Sequence, residues 1–115
     1  VEQREVGRHC DGFARGIADA LEAQPDALAI GELRDLETIR LALQAAETGV
    51  LVLSTVHAQD VTRAIGRLVD AFDPEERAGV RNGLAGSLRM VVAQQLLPRA
   101  DGRGRAPAIE VAFGG

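Results

Sequence analysis

The sequence predicts an α/β fold in which parallel strands are joined by crossover helices, with a further helix and a β-hairpin at the C-terminal end. Two short apolar runs, Ala27 to Ile30 and Val50 to Val56, flank a stretch whose apolar residues recur at helical spacing. A strand, a helix and a strand in that order make one βαβ unit. Such crossovers are nearly always right-handed, so both strands point the same way. Further on, the β-branched and leucine-rich MVVAQQLL and the alternating AIEVAF are separated by the turn-rich RADGRGRAP, the pattern of a hairpin.

The 115 residues suffice for one domain with a real core but not for two. A hydrophobic fraction of 46% and a charged fraction of 26% are ordinary for a soluble globular protein. The net charge of −4 gives no reason to expect nucleic acid or an anionic membrane as partner. All 13 basic residues are arginine, so no mechanism that needs an ammonium group can be run from within this chain. The single Cys10 excludes an internal disulfide framework. No apolar run approaches membrane-spanning length and no signal-peptide pattern is present. A start at Val1 and an end at Gly114-Gly115 suggest a piece of a longer protein.

Taken in order, residues 1 to 10 read as an edge strand or an extended lead-in. Phe13, Ile17, Ala20 and Leu21 then define a helix, with Asp11 as its N-cap and Pro25 as its stop. Ala27 to Ile30 lacks polar alternation and reads as a strand of a parallel sheet covered on both faces. Gly31 lets the backbone turn at its end. Asp35 is placed to cap a helix over Leu36 to Thr48, with Leu36, Ile39, Leu43 and Ala46 as its apolar stripe and Gly49 as its left-handed terminator. After the second strand, Asp60 caps a helix with Val61, Ile65, Leu68 and Val69 on one side. Asp73-Pro74-Glu75-Glu76 reads as the start of another, which turns Val80, Leu84 and Leu88 inward and Arg77, Arg81 and Arg89 outward.

The chemistry concentrates at one sheet edge. Ligands of open parallel sheets bind beyond the carboxyl ends of the strands, where loops and helix N-termini converge. Glu32 follows the first strand and His57 ends the second, so a carboxylate and an imidazole are delivered to the same edge. The carboxylate suits orienting or deprotonating a water, and the imidazole suits a phosphate oxygen; both fit hydrolysis of a phosphoanhydride. Ser54 and Thr55 lie at the same strand end, where a hydroxyl can bond a phosphate or a water. Arg34 is a candidate anion contact with Asp35 as its support, a solvated charge beside a helix cap being the plainer alternative. Ser54 lacks a Gly-x-Ser-x-Gly elbow, which excludes a serine hydrolase. His9, Cys10 and Asp11 lack metal-site spacing, and Gly102-Arg103-Gly104-Arg105 lacks the ending and the helix of a phosphate loop.

The run PDALAIGELRDLETIRLALQAAETGVLVLSTVHAQD resembles the region from the Walker B segment to the histidine box of the secretion ATPase superfamily, which powers type II secretion and type IV pili. Within it the strongest likeness is to the pilus retraction ATPases of twitching motility. VEQREVGRH is similar to the segment after the family's aspartate box, and SLRMVVAQQLLPRADGRGRAPAIEVAF to its terminal region. The resemblance implies a partial RecA-like P-loop NTPase core, the C-terminal portion of a domain that works as a hexameric ring under the inner membrane, in the cytoplasm. It implies that Glu32 is the Walker B glutamate, acting on the attacking water and touching Mg2+ through water. His57 is then the histidine-box residue near the γ-phosphate of ATP, with Thr55 in the same box.

The chain departs from the family in reading Thr48-Gly49-Val50 for TGH and Val56-His57-Ala58 for LHT, and it has no GxxxxGK[ST]. By itself it is expected to bind ATP weakly or not at all. The parent is expected to be an ATP hydrolase partnered by copies of itself and by an inner-membrane platform protein. The surfaces carrying Arg63, Arg67, Arg77 and Arg81 are candidates for subunit contacts. The rival expectation is a truncated, non-catalytic module that docks on pilus or secretion machinery.

Overall fold

The computed structural model describes residues 3, 5 and 12–114. The lead-in strand, the Asp11 cap, Arg4, Arg8 and the His9-Cys10-Asp11 cluster lie outside the described residues. The chain divides into two compact units, Val1–Val56 and His57–Gly115.

In the first unit, α1 (Phe13–Glu22) is followed by β1 (Ala27–Ile30), α2 (Leu36–Glu47) and β2 (Leu51–Ser54). The α1 helix closes through Gln24, whose N–H donates to the Leu21 carbonyl at 3.0 Å and whose φ of 53° is left-handed, so the turn is already made before Pro25. The strands are parallel neighbours in the register Ala27↔Leu51 to Ile30↔Ser54, which confirms the βαβ reading. β2 is shorter than the predicted Val50 to Val56. The Val50 N–H is held by the Ala45 carbonyl of α2 at 3.1 Å, and the Thr55 carbonyl has left the ladder to accept from Leu33 N.

The expectation of a sheet covered on both faces is corrected. Leu28, Ile30 and Val52 share one pleat face and pack with Ile17, Leu21, Leu41 and Ala42. Leu51 and Leu53, on the other face, are 51% and 57% exposed.

Asp35 caps α2 as predicted, accepting from Thr38 N at 2.9 Å and from Thr38 Oγ1 at 3.0 Å. That second bond satisfies a hydroxyl that is fully buried, so a polar residue holds a core position without an orphaned group. The buried stripe is therefore Thr38, Ile39, Ala42 and Ala45, rotated from the predicted Leu36, Ile39, Leu43 and Ala46. The helix ends in paired bonds, Gly49 N to the Ala46 carbonyl and Val50 N to the Ala45 carbonyl. Gly49 sits at φ 102°, where a Cβ is strained.

In the second unit, α3 (Val61–Asp70) and α4 (Arg77–Ser87) precede the antiparallel pair β3 (Met90–Pro98) and β4 (Arg105–Phe113). Asp60 caps α3 through Arg63 N at 2.7 Å, and Val61 and Val69 are buried. The α4 start is corrected: Asp73 to Glu76 form a turn, closed by Glu76 N to the Asp73 carbonyl at 2.9 Å, and the helix begins at Arg77. Arg77 is not turned outward. Its Nε donates to the Phe72 carbonyl at 3.1 Å and its Nη2 to the Asp70 carbonyl at 3.3 Å, so it closes the end of α3 and ties the turn to it.

The hairpin pairs Met90 with Phe113 through to Pro98 with Arg105, and β4 starts three residues earlier than predicted. Its turn is held by Arg99 N to the Gly104 carbonyl and by Arg103 N to Asp101 Oδ1, with Gly102 and Gly104 both at positive φ. One face carries the buried Ala93; the other shows Met90, Val92, Leu96, Ile109, Val111 and Phe113 to solvent.

Candidate functional site

In the first unit, two backbone segments are joined at the carboxyl end of the β1–β2 pair. Thr55 Oγ1 donates to the Gly31 carbonyl at 2.6 Å, and Leu33 N donates to the Thr55 carbonyl at 2.9 Å. Beyond the end of the ladder, these bonds lock the Gly31–Leu33 loop to the chain leaving β2. Thr55 therefore lies past the end of β2, where its hydroxyl holds the turn that presents Glu32. The Glu32 side chain is 20% exposed and its Oε2 lies 3.1 Å from Arg34 Nε, whose own side chain is 66% exposed. An ion pair this open to water adds little stability, so its consequence is orientation of the carboxylate.

Glu32, Arg34 and Thr55 are thus gathered at one strand end, as the sequence predicts. His57 opens the second unit, two residues beyond Thr55, where its carbonyl accepts a hydrogen bond from Arg67 Nη1. A shallow groove in that unit is lined by His57, Gln59, Arg63, Gly66, Arg67 and Asp70. Sequence reasoning missed the Arg67 bond and a second carboxylate at the α3 N-terminus, Glu110 Oε2, which accepts from Val61 N at 3.4 Å. The spacing of Arg63 and Arg67, four residues apart on one helix, was the available signal for the first. Nothing local marked Glu110, because its partner is 49 residues away.

Among the described residues no group of three metal-binding side chains occurs. No helix among them is long and apolar enough to cross a membrane.

Residues 4–112 match the family model described as type II/IV secretion system protein. The chain belongs to this family. As a type II/IV secretion system protein it is 54% identical over 104 residues to the uncharacterized protein YggR of Escherichia coli (strain K12), covering 90% of this chain and 32% of that one. It is 48% identical over 114 residues to the type IV pilus retraction ATPase PilT of Pseudomonas aeruginosa, covering 99% and 33%. Among solved structures, that of the pilus retraction motor PilT with bound ADP superposes with a TM-score of 0.90 at 42% identity, over 100% of this chain and 33% of that one. The chain spans about a third of the length of these two relatives. The family resemblance and the α/β fold expected from the sequence are both borne out.

Proposed function

We propose that the chain is the C-terminal portion of a RecA-like ATPase domain whose parent hydrolyses ATP to drive type IV pilus retraction, with type II secretion as the related use of the same motor. The observation that carries the proposal is the pinned loop at the β1 end, where Thr55 and Leu33 fix the backbone on either side of a half-buried Glu32. The similarity to a retraction ATPase and to a retraction motor holding ADP supports nucleotide as the ligand.

In this reading Glu32 is the Walker B carboxylate. It orients and polarises the attacking water, and Arg34 sets the direction of its oxygens and offers a cation toward phosphate. His57 donates to a γ-phosphate oxygen from the imidazole. The phosphate loop, with its lysine, comes from polypeptide outside this sequence, since the sequence contains none. Mg2+ keeps most of its waters and is held chiefly by substrate phosphates, so a single half-buried carboxylate such as Glu32 fits it as a contact through water. Bound there, the ion would neutralise phosphate charge. The parent works as a hexamer at the cytoplasmic face of the inner membrane, against a platform protein.

The test is Glu32→Gln in the full-length protein. The amide keeps the size and loses the charge, so phosphate release is expected to fall by about a hundredfold or more. ATP binding, read with a fluorescent nucleotide, is retained. Turnover at the wild-type rate removes Glu32 from this role.

A further inference from the structure

The segment from His57 to Asp60 is bonded to α3 at successive points, all within the second unit. Asp60 Oδ1 accepts from Arg63 N at 2.7 Å, and Arg63 Nε lies 3.6 Å from Asp60 Oδ2. Arg63 Nη1 donates to Gln59 Oε1. Arg67, one turn further along, sends its Nη1 to the His57 carbonyl. Two arginines four residues apart thus reach back along one helix face to the loop that precedes it, the direction in which long helical side chains point.

Arg67 stands in the last turn of α3, where a cation ordinarily serves the helix's own final carbonyls. That place is taken by Arg77, which bonds the Asp70 and Phe72 carbonyls. Arg67 is turned the other way, to a carbonyl ten residues earlier in the chain. A charged donor on a carbonyl is a strong restraint on that peptide.

We infer that Arg67 is a positioning residue for His57: by holding the His57 carbonyl against α3 it fixes the backbone from which the imidazole is presented to phosphate. This rests on the role proposed above for His57. Arg67 is not required to touch nucleotide, so any effect of its loss passes through His57.

The experiment is a double-mutant cycle on ATP hydrolysis by the full-length protein, with Arg67→Ala, His57→Ala, the double variant and Arg67→Lys. Misplacing a reacting group costs rate, so Arg67→Ala is expected to lower kcat by about tenfold to a hundredfold. KM for ATP shifts no further than it does in His57→Ala, because Arg67 reaches the nucleotide only through His57. Arg67→Lys, which keeps one charged donor, recovers part of the rate. In the His57→Ala background Arg67→Ala lowers kcat no further, since a residue acting only through His57 has nothing left to act on.

Additive losses in the cycle overturn the inference while leaving the His57 assignment intact. So does a kcat loss that follows the thermal midpoint across the Arg67 variants without recovery by lysine. Wild-type turnover in His57→Ala overturns the His57 assignment, and the inference with it.

Discussion

The two units are held by different kinds of contact. In the first, both ends of α2 are set by residues close in sequence: Asp35 caps it through Thr38, and Gly49 and Val50 close it on Ala46 and Ala45. In the second, the deciding side chains reach between elements, as with Arg77 on the end of α3, Glu110 on Val61 and Arg67 on His57. Asp35 and Asp73 show the difference. Both look like helix caps in the sequence; only Asp35 is one. After Asp73 the chain makes a turn that Arg77 ties to α3, and the helix waits until that turn is complete. A local signal survives unless a longer-range contact offers its backbone a better use.

Substitutions separate the two units, and the largest effect belongs to the packed core of the first. Ile30→Ala empties a position that is 6% exposed and is expected to cost about 2–5 kcal/mol in urea denaturation. A loss below that range shows that the packing around Ile30 is looser than its burial implies. Asp35→Ala comes next. It removes both bonds to Thr38 and leaves a buried hydroxyl without its acceptor, for about 1–2 kcal/mol. Arg77→Ala is expected to cost about 1 kcal/mol by releasing the Phe72 and Asp70 carbonyls. An unchanged midpoint there shows that the turn holds without Arg77. The smallest effect is on the open hairpin face, where Ile109 is 62% exposed; Ile109→Thr should stay within about 0.5 kcal/mol.

Much of the fold was legible because its signals are periodic or local. The bounds of β1, the βαβ order, the Asp35 and Asp60 caps, the Gly49 terminator and the hairpin all follow from spacing and turn chemistry. What escaped was decided by burial and by side-chain partners, near or far in sequence. Alternation says which strand residues share a face but not which face is covered, so the exposure of Leu51 and Leu53 was not readable. The α2 stripe was misplaced because Thr38 is polar by type and buried in fact, its hydroxyl satisfied by the cap.

At the candidate site, Glu32, Arg34 and Thr55 were found from strand-end topology, and the structure adds the hydroxyl bond that pins the loop. Their chemical roles rest on the proposal. Arg67 escaped notice as a loop contact because a helical arginine reads as a solvated face until its acceptor is known.

In the proposed reading the β1-end loop is one wall of a nucleotide site. The most direct measurement is a structure of the full-length protein with a non-hydrolysable ATP analogue and Mg2+. The Glu32 carboxylate is expected one water away from the γ-phosphate, with the Thr55 to Gly31 bond intact. A γ-phosphate bound elsewhere, with Glu32 turned from it and paired only with Arg34, contradicts that reading.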